Sequence, residues 1–437
     1  MRKTKLQKRS FSVEPKKDIK RIAIFYPFSD FHNPTSGASV RVNNLVRLLS
    51  YGVNEIRIMQ RWNKQELLNE NIRLESVRLN EDTFGVRFFE KIFRLIFVKF
   101  IAKNQTFEPK FLLLFIEPFL YRKFKKSLFD LVKWADIVIL EYPFWGYHVA
   151  KACKEKKIPF ILTNHDFISE HITQNKVIYY LVRFLELTSL KKADHVIAVT
   201  QDNAKKFEKF GIKSDVIENR VDCLYWGQDF PGDPKDYLKS KGIDLPKGPL
   251  CFFIGGDHFP NIKAVEEIKK IGASMYGKYE VTFLLAGACA PKEDKKNIIS
   301  LGKIDKSIIL ALYKIVEIVL IPLKSGSGSS IKTIEAMAAG CAILGTEVGF
   351  RGINTINYHH CVIENDLDKF PKIIMSLLND SKKRYELGKN AKIWSHEKDY
   401  RKEFMKYFDL LNIKKEKIDL SLIEKNDLKI FNNYIKS

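Results

Sequence analysis

Between Ile318 and Gly352 the sequence reads IVLIPLKSGSGSSIKTIEAMAAGCAILGTEVGFRG. Gly326 and Gly328 carry no Cβ, so the backbone N–H groups around them can approach a ligand closely. Ser327, Ser329 and Ser330 add hydroxyl donors, Lys332 adds a full positive charge, and Glu335 stands one turn below it. Together these residues describe a cradle for a phosphate or diphosphate at the N-terminus of a helix. A helix N-terminus alone contributes only about 0.3–1 kcal/mol to an exposed anion. Tight binding therefore needs Lys332 and a closed, drier cleft as well. An ordinary loop running into a core helix is the competing reading. A nucleoside-triphosphatase P-loop fits less well, because GSGSSIKT has Ile331 where the glycine before the lysine is required.

The cradle needs a strand before it and a helix after it. Ile318–Leu323, which includes Pro322, reads as a buried parallel strand, and Lys324–Ser330 as a loop. From Ile331 the apolar residues Ile331, Ile334, Met337 and Ala338 take helical spacing, and Gly340 supplies the stop. Similar strand runs recur at Arg21–Tyr26, Ala135–Leu140, Phe160–Thr163, Leu250–Ile254, Val281–Gly287, Ile298–Leu301 and Cys361–Ile363. Helical patterns fall at Val40–Leu49, Val177–Leu190 and Phe370–Leu378. This alternation predicts an α/β chain of doubly wound parallel sheets. In such sheets the residues just past strand C-termini line the ligand crevice, which places Glu141, His165 and Asp166 for chemistry. Taken alone, a histidine after a strand is more often a packed or surface residue.

The stretch around Lys332 resembles the signature of retaining GT-B glycosyltransferases of family four, P-L-x-x-G-x-G-x-x-x-K-x-x-E-A-M-A-x-G-x-P-V-V. The matching residues are Pro322, Leu323, Gly326, Gly328, Lys332, Glu335, Ala336, Met337, Ala338 and Gly340. Many members carry a second glutamate at the position of Ser327; the G-x-G-T branch lacks it, as this chain does. Ala193–Thr200 resembles the family's A-D-x-V-I-x-V-S strand, and Val216–Asp222 its I-P-N-G-V-D turn, with Glu218 for proline and Arg220 for glycine. Ser36, Gly37, Ala38 and Arg41 resemble the glycine turn and arginine-bearing helix near the family's N-terminus. Gly255, Pro260, Asn261 and Ala264 resemble the first turn of its second domain, where many relatives hold an arginine and a lysine that this chain lacks, although Lys263 is close.

The resemblance implies a GT-B fold, two Rossmann-like domains facing across a cleft. It implies a glycosyltransferase that uses a nucleotide-diphosphate sugar as substrate, with retention by front-side attack, no cofactor and no metal. The donor would be held by Gly255, Gly326, Ser327, Gly328, Ser329, Lys332 and Glu335, the last on the ribose. His165, Glu141 and Lys332 would serve catalysis, with Gly37, Arg41 and Asp166 on the acceptor side. The expected division is a basic disordered arm at 1–19 and an acceptor domain at 20–222 with a basic, aromatic helical insertion at about 70–134. A linker at 223–248 leads to a donor-nucleotide domain at 249–390. A helix at 391–412 then crosses back, and a charged tail occupies 413–437.

Composition bears on partners. The 437 residues are 45% hydrophobic, enough for ordinary globular cores, and carry a formal charge of +22. Six scattered cysteines fit free thiols in a reducing cytosol, and no apolar run reaches the ~20 residues of a membrane span. No signal peptide is expected, because residues 1–20 are basic with no apolar core after them. Asp366-Leu367-Asp368 imitates a D-x-D metal motif but precedes an amphipathic helix, so its carboxylates are expected at a helix start rather than on a metal.

The charge admits three readings: nucleic acid, an anionic membrane surface, or a lysine-rich habit without specific meaning. Phe88–Lys103 and Tyr121–Trp134, basic and aromatic, suit a membrane interface with a glycan or lipid-linked acceptor, and equally suit packing on the first domain. The location expected is cytoplasmic, peripheral on the inner face of the membrane. No specific nucleic acid is expected, since no recognised nucleic-acid fold motif occurs. A catalytically inactive relative and a sugar-nucleotide epimerase are the remaining alternatives. The sequence leaves the oligomeric state open.

Overall fold

The computed structural model describes residues 19–28, 31, 36–61, 66–69, 72–77, 114–115, 117–119, 121–172, 176–326, 330–413, 418–421 and 423–425. The first half holds strands β1 (Arg21–Phe25), β2 (Glu55–Arg61), β3 (Glu66–Asn69), β4 (Ile72–Val77), β5 (Ile137–Glu141), β6 (Phe160–Asn164), β7 (His195–Ala198) and β8 (Asp215–Val216). Its helices are α1 (Gly37–Leu49), α2 (Arg122–Trp134), α3 (Gly146–Lys156), α4 (Lys176–Lys192) and α5 (Gln201–Glu208). The second half begins with α6 (Cys223–Gly227) and α7 (Pro234–Ser240), followed by β9 (Leu250–Ile254), α8 (Phe259–Met275), β10 (Thr282–Ala286), β11 (Glu293–Lys295) and β12 (Ile298–Ser300). Then come α9 (Lys306–Ile315), β13 (Ile318–Ile321), α10 (Ile331–Ala338), β14 (Ile343–Gly345), β15 (Val362–Ile363), α11 (Phe370–Asn379), α12 (Ser381–His396) and α13 (Tyr400–Leu410).

The central strands are apolar on both faces, which is why each sheet lies between two helical layers. Along β1, Ile22 and Ile24 enter one core with Ile137, Ile139 and Ile161, while Ala23 and Phe25 enter the other with Val138, Leu140 and Leu162. The sheets run β3-β4-β2-β1-β5-β6-β7-β8 and β11-β12-β10-β9-β13-β14-β15. Pairing is parallel except for β3 on β4 and β11 on β12. In each sheet the order reverses once, between β1 and β5 and between β9 and β13. Those switch points are where a doubly wound sheet opens a crevice.

Several elements differ from the sequence expectations. Helix α1 starts at Gly37 rather than Val40, because Ser36 and Ser39 form a reciprocal capping box: Ser39 N–H donates to Ser36 Oγ at 3.1 Å and Ser36 N–H to Ser39 Oγ at 2.9 Å. Residues 223–248, expected as a linker, carry α6 and α7, whose Cys223, Tyr225, Trp226 and Leu238 belong to the second core. Residues 72–77, expected within the insertion, form β4 beside β2. Helix α2 turns Phe124, Leu128, Leu131 and Val132 into the first core, so its apolar face is not available to a membrane. The helix expected at Phe88–Lys103 lies outside the described residues.

The chain returns to the first half at Asp399–Tyr400. There Arg401 donates to Asp222 at 2.9 Å and to Asp399 at 3.0 Å, Asp399 accepts from Cys223 N–H at 2.8 Å, and Tyr400 N–H reaches Val221 O at 3.2 Å. Both crossings of the chain are thus tied together by one buried ionic network. Helix α13 then lays Tyr400, Phe404, Tyr407 and Phe408 into the same core as α1. Ile423 of the tail is buried there too.

Candidate active site

On the first half, Glu141 is the last residue of β5 and His165 the first after β6. Register pairs Glu141 with Thr163, so the two side chains stand at adjacent carboxyl ends. His165 Nε2 lies 2.9 Å from Glu141 Oε2, with both side chains buried. The imidazole stacks on Tyr142, ring centroids 4.4 Å apart and planes within 8°. Tyr142 itself takes φ +71, a left-handed conformation unusual for an aromatic residue and one that costs about 1–3 kcal/mol. That strained turn after β5 keeps the tyrosine ring on the imidazole. Behind it, His165 O accepts from Asn203 Nδ2 at 2.5 Å. The buried carboxylate of Glu186 accepts from Ile168 N–H, Ser169 N–H and Ser169 Oγ, holding the turn that follows Asp166. Burial pushes Glu186 up to about 7 against the pull of those donors.

On the second half, Ser330 takes the N-cap position of α10, yet its hydroxyl accepts from the Thr333 hydroxyl at 2.7 Å and caps no backbone N–H. Thr333 Oγ1 also lies 2.8 Å from Gly349 O, binding the helix start to the loop after β14. Lys332 Nζ is 2.8 Å from Glu335 Oε2; the carboxylate is buried and the lysine partly exposed. Gly326 takes φ +144, and a Cβ there would stand 2.8 Å from Arg351 Cζ. Gly255 is needed for contact: a Cβ would lie 2.8 Å from Asn261 and 3.0 Å from Cys289 Sγ. Ser327, Gly328 and Ser329 lie outside the described residues.

The two halves meet at Gly37. A Cβ on this residue would stand 3.0 Å from Ile331 Cγ1, so the first residues of α1 and α10 face one another across the cleft. Two helix N-termini therefore converge, and an anion between them would meet both positive ends. Burial pushes the Arg351 guanidinium down, and the charge of Asp166 on the first half opposes that push.

Arg41 requires a correction. It is fully buried, donating from Nη1 to Ile217 O at 2.8 Å and Asn219 Oδ1 at 3.0 Å, and from Nη2 to Tyr407 OH at 2.8 Å. Its plane lies 4.9 Å from the Phe404 ring centroid. It ties α1 to α13 rather than holding a substrate. Lys263 also points elsewhere, pairing with Glu266 at 2.8 Å.

Two cations escaped the sequence reading. Lys306 opens α9; desolvation lowers its amine below the ordinary lysine range, while Asp222 and Glu335 pull it back up. Its Nζ sits 3.6 Å from the Tyr225 ring centroid. Arg351 follows β14. Both lie past strand C-termini, and the rule that singled out Glu141 and His165 would have found them.

Solved structures of the GT-B fold share this architecture. Sucrose-phosphate synthase from Thermosynechococcus elongatus is similar over 90% of this chain and 98% of its own, with TM-score 0.69 and 15% identity. HepE from Anabaena, solved with UDP-glucose, is similar over 90% and 99%, with TM-score 0.62 and 13% identity. The chain belongs to the family-four glycosyltransferases: the model described as Glycosyltransferase Family 4 matches residues 36–223, and that described as Glycosyl transferases group 1 matches 248–380. An uncharacterized glycosyltransferase of Methanocaldococcus jannaschii is 26% identical over 323 residues, 66% of this chain and 79% of that one. The protein is thus a glycosyltransferase.

Proposed function

We propose that the protein moves a sugar from a nucleotide-diphosphate sugar to a glycan or lipid-linked acceptor with retention, without a metal or cofactor. The observation that carries this reading is the convergence of α1 and α10 at Gly37 and Ile331, beside the Lys332–Glu335 pair. The diphosphate lies between the two helix ends, and Glu335 takes the ribose. The bond from the anomeric carbon to the phosphate oxygen breaks, and a bond to the acceptor oxygen forms on the same face. The acceptor proton passes to the departing phosphate, whose growing charge is stabilised by α10 N–H groups and Lys332. His165, with Nε2 on Glu141 and its ring held flat on Tyr142, offers its other ring nitrogen as acceptor to a hydroxyl of the reacting sugar or acceptor. Closure of the halves excludes water and suppresses hydrolysis of the donor.

UDP-glucose, bound by HepE, is the first donor to try. A thermal-shift panel of nucleoside diphosphates selects the base, and calorimetry follows with Lys332→Ala and Glu335→Ala. Each variant is expected to weaken the diphosphate by about tenfold or more. Parent-like affinity in both would reject the site.

A membrane-bound acceptor is supported by α4. Val177, Tyr180, Leu181 and Phe184 are exposed at i, i+3, i+4 and i+7, between exposed Lys176 and exposed Lys191 and Lys192. Among the described residues no helix is long and apolar enough to cross a membrane. An apolar stripe with basic ends instead suits the plane of an anionic surface, each nearby cation adding ~1 kcal/mol. Flotation with phosphatidylglycerol vesicles should show salt-sensitive binding that Tyr180→Ser with Phe184→Ser removes. A parent protein that never floats would sink this reading.

A further inference from the structure

The cations around the Gly326 loop differ in where their counter-charges stand. Lys332 pairs with Glu335 at 2.8 Å, Lys324 with Glu267 at 3.4 Å and Lys263 with Glu266 at 2.8 Å, all inside the second half. A lysine paired in this way shares its charge between its own domain's carboxylate and an incoming diphosphate. Arg351 instead feels the carboxylate of Asp166, which belongs to the first half and follows His165 directly. Opening or filling the cleft can separate that pair without disturbing either domain.

The guanidinium is also fixed in orientation. Nη1 donates to Val348 O at 2.8 Å within the same turn. The plane lies against the Cα of Gly326, where a Cβ would stand 2.8 Å from Cζ, 2.9 Å from Nη2 and 3.2 Å from Nε. The glycine at this point of the loop therefore makes room for the arginine. A held guanidinium presents a planar fork that matches phosphate oxygens better than an ammonium does.

We propose that Arg351 is a donor-binding residue that contacts the diphosphate from the Gly326 side of the cleft. This assignment rests on the nucleotide-sugar reading above.

The test is calorimetry on the full chain with UDP, GDP, ADP, CDP and dTDP, each beside its monophosphate. For the tightest pair, Arg351→Gln should weaken the diphosphate roughly tenfold to a hundredfold, the worth of one or two charge-assisted hydrogen bonds, and the monophosphate by less than about threefold. Arg351→Lys should restore only part of the loss. Circular dichroism and melting of each variant report folding separately. If Arg351→Gln binds the diphosphate as the parent does while Glu335→Ala does not, the Arg351 assignment falls and the donor site stands. Equal losses for monophosphate and diphosphate would also overturn it. If none of these nucleotides binds the parent, both readings fall.

Discussion

The groups that the second half brings to the cleft around α10 come from one continuous run, Ile318–Gly352, in which strand, loop, helix and strand follow without interruption. The first half instead joins Glu141 to His165, 24 residues apart in sequence, across the ends of two neighbouring strands. In the second half local geometry does the positioning: the turn of the helix sets Lys332 against Glu335, and Gly326 makes room for Arg351. In the first half the sheet does it, with support from Tyr142, Asn203 and Glu186. Substitutions in the second half should therefore act on donor affinity, and those in the first on turnover.

His165→Ala tests this division most severely. Removing the imidazole should lower kcat by about 10²–10³-fold, as for loss of one preorganised hydrogen-bonding group, while nucleoside diphosphate affinity stays within about threefold. Glu141→Gln retains a hydrogen-bonding partner for the ring and should cost less. A His165→Ala protein that loses donor affinity but keeps its turnover would mean that the two halves share the donor, and the comparison would fail.

Gly37→Val acts on the contact between the halves. The valine side chain would collide with Ile331, which already stands 3.0 Å from the position of a Cβ. Ser36 and Ser39 would still cap α1, so folding should be nearly unchanged. Incomplete closure should reduce kcat by about tenfold and raise the fraction of donor lost to hydrolysis, since closure is what excludes water. Product analysis by chromatography separates transfer from hydrolysis. Full activity would place the working cleft away from Gly37.

The same contrast explains what could be read before the structure. The second-half motif was legible because spacing along one helix translates directly into position in space. The doubly wound halves were legible from alternating apolar runs, and His165 and Glu141 from their place after strands. Arg41 was misread because its partners are remote: Tyr407 is 366 residues away, and nothing in the sequence near Arg41 shows that α13 will cover it. The 223–248 segment looked like a linker because Gly, Pro, Asp and Lys dominate it, yet Trp226 and Leu238 anchor it in the second core. Lys306 and Arg351 belong to no motif; their place after the C-termini of strands was the signal that could have found them.

The smallest expected effect on activity comes from Glu186, which supports the turn after His165 from beneath. Its carboxyl is raised from 4.5 to about 7 by burial, although Ser169 and Ile168 donate to it. A raised carboxyl binds its proton more tightly in the folded protein than in the unfolded chain. Its stabilising contribution is therefore full below pH 4.5 and is lost as pH rises through about 7. Glu186→Gln cannot ionise, so the difference in denaturant stability between parent and variant should fall steadily over that window and flatten above it. Turnover should change by less than about twofold at pH below 6, where parent and variant are both neutral at this position and the turn keeps its shape. A difference that stays level from pH 4.5 to 7 would mean that the carboxylate is ionised throughout. The three donors would then outweigh burial, and the turn after His165 would be held by charge rather than by packing.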